Sequence, residues 1–213
     1  MKKHRINIFL GFYFLILVGL TFWVYNLDIR GYTKMVSGTV VAATRIDEYL
    51  TFTLVSGSDI SFGELFPGNP VSAPNPGLIT QISSNTPTGY AIAMSDSKVS
   101  SQSALKHSDG STNISDYFGT VGSPSFWSGT GLGMTLFAAD TSKEAKWGTG
   151  SSYNDSNNRY AGIPQNSTIV HTVNKPFNIP NLSSFAFKLD VLPSQKPGYY
   201  SGKATLTVTT LLS

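Results

Sequence analysis

The chain is 213 residues long, only 13% charged, and contains 20 glycines and 11 prolines. It has no cysteine, which excludes disulfides, thiolate metal sites, a cysteine nucleophile and a lipoprotein anchor. The net charge of +3 is local: Lys2, Lys3, Arg5, Arg30 and Lys34 lie near the N-terminus, and the remainder is close to neutral, so no basic field is on offer to nucleic acid.

Residues 1–5 form a positive segment ahead of a near-continuous apolar run at 6–25. About 20 apolar residues suffice to cross a bilayer as a helix. Ile6, Phe9, Phe12, Phe14, Leu17 and Leu20 would face lipid, with Trp23 and Tyr25 at the interface. The upstream lysines predict a cytoplasmic N-terminus and an outward C-terminal body. The expectation is an uncleaved, single-pass signal anchor, with residues 26–35 as a juxtamembrane linker. The competing reading is a cleaved leader and a secreted body. It needs a small-x-small site soon after the apolar run, and only Val41-Ala42-Ala43, far downstream, has such residues.

From residue 36 the pattern is that of strands. Val36–Ala43 is a small-residue β segment, Leu50–Leu54 alternates cleanly, and Ile60–Gly63 resembles a short strand. Proline–glycine clusters at 66–70 and 74–77 break the chain, Leu78–Ser83 is a strand, and Asn85–Gly89 is a turn. Tyr90, Ile92 and Met94 alternate with small residues in the next strand. Residues 95–165 read as a polar insertion punctuated by aromatics, with a firm strand only at Gly133–Phe137 and a helical turn at 101–106. Strand character resumes at Thr168–Val173. Phe185–Val191 and Ala204–Thr209 then alternate on either side of Lys196-Pro197-Gly198, which predicts a closing antiparallel hairpin. The predicted fold is an antiparallel β-sandwich of Ig-like or Greek-key type, spanning 36–213 and carrying the insertion at 95–165.

Catalytic chemistry has little to build on. His107 lies in a polar turn, His171 falls on the polar face of an alternating strand, and no Gly-x-Ser-x-Gly elbow is present. Asp140, Glu144 and Asp155 are acids in or near the insertion, and none stands apart from ordinary turn aspartates. Asp155 and Asn157, within Asn154–Asn158, cluster oxygen ligands of the kind Ca2+ takes, without the spacing of an EF-hand. No other cofactor is expected. Trp127, Trp147, Tyr153 and Tyr160 could stack on a sugar ring or anchor a partner protein, or fold back as cover for the end of the sandwich.

The order of Leu50–Leu54, Ile60–Gly68, Gly89–Ile92, Tyr160–Pro164 and Pro197–Tyr200 with Ala204–Thr210 resembles exported β-sandwich surface proteins of small-genome bacteria. It is also distantly similar to WxL-type and spore-coat-protein-U-type surface domains. It departs from the WxL pattern at Tyr90 and near Val208, where that pattern has tryptophan. The resemblance implies a surface module without a known reaction. The expectation is a non-enzymatic, membrane-anchored protein with a structural or adhesive role. Two alternatives stand beside it: a carbohydrate- or cell-wall-binding module using the insertion aromatics, and a self-assembling fibre subunit. Membrane lipid and a surface glycan or protein are the expected partners, with oligomeric state left open.

Overall fold

The computed structural model describes residues 47–73, 77–96 and 103–212, and the fold below is that of the unit Glu48–Ser213. Thirteen strands occur among these residues: β1 (Leu50–Ser56), β2 (Val71–Ser72), β3 (Leu78–Ser84), β4 (Tyr90–Asp96), β5 (Ser103–His107), β6 (Asn113–Ser115), β7 (Ser125–Phe126), β8 (Gly131–Ala139), β9 (Arg159–Gly162), β10 (Thr168–Val173), β11 (Phe177–Asp190), β12 (Tyr200–Ser201) and β13 (Ala204–Thr210). The helical content among them is one 3-10 turn, Ala145–Trp147. The described part of the protein is therefore all-β, and every pair of these strands is antiparallel.

The large sheet runs β1-β3-β11-β8-β9-β7, with β2 also on β11. A second sheet runs β10-β4-β13 and a third β12-β5-β6. Alternation puts every second side chain on one face. Ile82 of β3, Met134 and Leu136 of β8 and Phe185 of β11 thus share one buried cluster with Ile92 and Met94 of β4 and Val170 of β10. A common core between two antiparallel sheets is consistent with a β-sandwich. Fully burying each such side chain contributes about 1.5–3 kcal/mol.

Local chemistry sets the irregularities. Pro180 cannot donate to a ladder, and β11 slips register against β3 between Phe177 and Asn181. The Thr86–Gly89 turn closes with the Gly89 N–H on the Thr86 carbonyl, at a glycine φ of +86°. A Cβ there would collide with the Val173 carbonyl oxygen, so only glycine fits.

Several expectations change. The closing hairpin does not form: β11 pairs with β8, β3 and β2, while β13 pairs with β4 in the other sheet. The link from Asp190 to Ala204 is longer than a two-to-five-residue hairpin loop, and β12 within it bonds to β5. Ile60–Gly63 is irregular, although Ile60 and Phe62 pack on the core. Residues 103–106 are strand and not helical turn. The stretch 95–165 is woven into the fold, because β8 lies between β11 and β9 in the large sheet.

Among the described residues no helix is long and apolar enough to cross a membrane. The basic segment, the apolar run from Ile6 to Tyr25, the linker and the Val36–Ala43 segment lie outside the described residues.

Candidate functional site

The outer face of the large sheet carries an aromatic cluster built on a missing side chain. Leu132, Met134 and Leu136 of β8 belong to the core cluster, so Gly133 turns to the opposite face. A Cβ on Gly133 would meet the Trp127 ring at 2.9 Å, the Tyr117 Cβ at 3.1 Å and the Tyr160 Cβ at 3.3 Å. The glycine is the seat on which these residues lie. Trp127 stacks on Tyr117 with centroids 4.5 Å apart and planes 10° apart, and meets Tyr160 edge-on at 5.3 Å. Lys188, opposite Gly133 on β11, holds its ammonium 5.4 Å from the Trp127 centroid. Its pKa is lowered by burial, against the opposing pull of Asp190.

Two phenylalanines beside this cluster are presented outward. Phe118 is 63% exposed and lies 4.4 Å from Tyr117, centroid to centroid. Phe126 is 52% exposed, with the Arg159 guanidinium 4.9 Å from its ring centroid. The Tyr117 hydroxyl fixes the loop between them: it donates to the Phe126 carbonyl at 2.6 Å and accepts from the Ser128 N–H at 3.1 Å. Loop aromatics backed by a rigid sheet and flanked by cations suit a planar or apolar partner surface.

The sequence-predicted aromatics are divided by the fold. Trp127 is half-buried within the cluster and Tyr153 is half-buried in the 150–158 loop. Trp147 and Tyr160 are buried, which takes them out of the ligand-binding set. The 3-10 turn drives the Trp147 indole into the core, where Nε1 donates to the Val170 carbonyl at 3.0 Å. Tyr160 packs under Trp127. The exposed positions are instead Phe118 and Phe126. The signal for the cluster was the Gly131-Leu132-Gly133 spacing, which strips side chains from one face of a strand.

Asp155 and Asn157 form a turn. Asp155 accepts the Ser151 N–H at 3.1 Å on Oδ2 and the Asn157 N–H at 2.9 Å on Oδ1. These amides hold its carboxyl below the usual range. No group of three or more His, Cys, Asp or Glu side chains converges on a metal-sized site among the described residues.

His107 and His171 are both buried, contrary to expectation. His171 Nδ1 lies 2.9 Å from Glu144 Oε2, and Nε2 lies 3.2 Å from the Thr141 hydroxyl. This network assigns the proton to Nδ1 and makes Nε2 the acceptor. Carboxylate, imidazole and hydroxyl stand in the order of a nucleophilic triad. Yet Glu144 also takes the Thr172 N–H at 2.9 Å, which ties the loop after β8 to β10. His171 is wholly enclosed, so the arrangement works as a clamp. Burial would raise the Glu144 carboxyl, but the His171 ring and the Thr172 N–H outweigh it and the net shift is downward. His107 is similarly enclosed, accepting the Asp109 N–H at 3.0 Å and facing the Pro197 carbonyl at 3.2 Å.

Asp116 sits where β8 crosses the segment after β6, bridged to Leu132, with Oδ1 accepting the Ile163 N–H at 3.2 Å. Burial pushes its pKa up to about 6, the Ile163 N–H opposes this, and the Asp96 charge adds to it. Neither a scan against protein-family models nor a search of curated proteins finds a match to this chain.

Proposed function

We propose that this chain is a membrane-anchored, outward-facing surface protein that works by attachment and not by catalysis. The apolar run at 6–25 supports the anchor, and the order of strands around β4 and β11 supports an Ig-like, Greek-key reading of the sandwich. The observation that carries the adhesive role is the exposed pair Phe118 and Phe126 on a loop locked by Tyr117. Its chemical contrast is the Thr141–His171–Glu144 set, whose imidazole is closed off from any substrate. The partner class favoured by ring faces flanked by Arg159 and Lys188 is a surface carbohydrate, whose apolar ring face stacks on aromatics.

The test uses the full chain in detergent micelles on a glycan array and on purified cell-wall sacculi. Retention is expected, reduced about tenfold or more by Phe118→Ala with Phe126→Ala, since exposed aromatic anchors are each worth over about 1 kcal/mol. Equal retention of variant and parent, or none by the parent, would remove the carbohydrate reading. Protease treatment of intact cells tests the topology: a C-terminal body that resists digestion until lysis contradicts outward exposure.

A further inference from the structure

Among the described residues, the β10-β4-β13 sheet ends at β13 on an edge that has none of the usual guards. Natural edge strands are blunted by bulges, charge, proline or brevity. β10, at the opposite edge, slips register between Ile169 and His171, and β1, at the edge of the large sheet, slips between Leu54 and Ser56. β7, β6 and β12 are three residues or fewer. β13 alone among these edges is long and unbroken, in register with β4 from Ala204 to Thr210. Residues 204–212 contain no charge and no proline.

The rim beside it is apolar and open. Phe52 and Leu54 pair with Ile82 and Thr80, so they point to the core side of β1, yet they are 43% and 39% exposed. Leu206 and Val208, opposite Met94 and Ile92, also turn inward and are only partly covered. The Leu211 N–H donates to the Gly89 carbonyl. By alternation, Thr205, Thr207 and Thr209 direct their backbone groups to β4, while Leu206, Val208 and Thr210 direct theirs out of the sheet.

We propose that β13 pairs antiparallel with β13 of a second copy of this chain, about a twofold axis through Thr207. The occupant follows from self-complementarity. This register sets Leu206 against Val208 on the core side, Thr205 against Thr209 on the solvent side, and Ala204 against Thr210. Apolar meets apolar, threonine meets threonine, and no like charges oppose, as a two-fold contact requires. The outward N–H and C=O groups of Leu206 and Val208 then bond across the axis. The three-stranded sheet becomes a six-stranded one, and the open rims of both copies close over each other. The proposal does not depend on the carbohydrate reading, because Phe118 and Phe126 take no part in it.

The absence of cysteine makes the test direct. Thr207 directs its backbone inward, so across the axis it forms a non-hydrogen-bonded pair with its own copy, at a Cα separation of about 4.5 Å. That is within reach of a disulfide. Residue 205 lies four positions from its own copy, roughly 14 Å along the strand, which is out of reach. Full-length Thr207→Cys, oxidised in native membranes, is expected to run as a disulfide-linked dimer. Thr205→Cys or Thr209→Cys alone should form no disulfide-linked dimer, and the two co-expressed should crosslink. Thr207→Lys, which places like charges across the axis, should shift the full chain in micelles from dimer to monomer with its circular dichroism unchanged. A free thiol at Thr207→Cys, or equal crosslinking at 205, 207 and 209, overturns the proposal. So does a parent chain that sediments as a monomer, the result expected if some other segment covers the edge.

Discussion

Replacing Asp116 with asparagine isolates one part-buried charge and leaves its hydrogen bond in place. The asparagine Oδ1 still accepts from the Ile163 N–H, which the parent carboxylate holds at 3.2 Å. Burial, reinforced by Asp96, raises the native pKa from 3.8 to about 6. A raised native pKa means that the folded state keeps the proton longer than the unfolded chain. Stability from this group is therefore complete below about pH 4 and is lost as pH rises through 6. At about 1.4 kcal/mol for each step in pKa, the loss is at most about 3 kcal/mol at neutral pH. The carboxyl is only part-buried, and screening by solvent reduces this to about 2 kcal/mol. Asp116→Asn removes the loss. Urea unfolding of the full chain in micelles, followed by tryptophan fluorescence, should show the variant more stable by about 2 kcal/mol at pH 7.5, with the same m-value. At pH 4 the two should coincide. Equal stability at both pH values, or a variant weaker at pH 7.5, would refute the assignment of a strained charge to Asp116.

Other substitutions test the remaining clauses. Gly133→Ala forces the Trp127 ring off its seat and should destabilise by about 1–3 kcal/mol, with a shift in tryptophan emission absent from Gly122→Ala, where a Cβ meets open space. Glu144→Ala leaves the His171 Nδ1–H and the Thr172 N–H without their acceptor, and should lose about 2–4 kcal/mol in urea unfolding at pH 7. Because the Glu144 pKa is lowered, its stabilisation is present above the ordinary 4.5 and fades as pH falls below it. The gap between parent and Glu144→Gln should narrow accordingly from pH 6 to pH 3. Trp147→Phe keeps most of the apolar volume but leaves the Val170 carbonyl unpaired, and about 1–3 kcal/mol should be lost in the same assay.

The sequence alone determined the strands whose period is two, and those strands stand where the alternation put them. Leu50–Leu54, Leu78–Ser83, Thr168–Val173 and Ala204–Thr209 each fall within a strand of the structure. Alternation is a property of neighbours in sequence, so it is legible without knowing the partner. Which strand pairs with which is not. Phe185–Val191 and Ala204–Thr209 carry the same pattern, yet they lie in different sheets, because a long, proline-containing link lets the chain cross between layers. The aromatics show the same division. Trp147 and Phe126 are both large apolar residues in polar surroundings, and nothing local says that one enters the core while the other faces out. The void left by Gly133, the Val170 carbonyl that takes the Trp147 indole, and the unguarded edge of β13 exist only once distant segments meet. Burial and edge exposure depend on packing between those segments, and only the tertiary structure decides them.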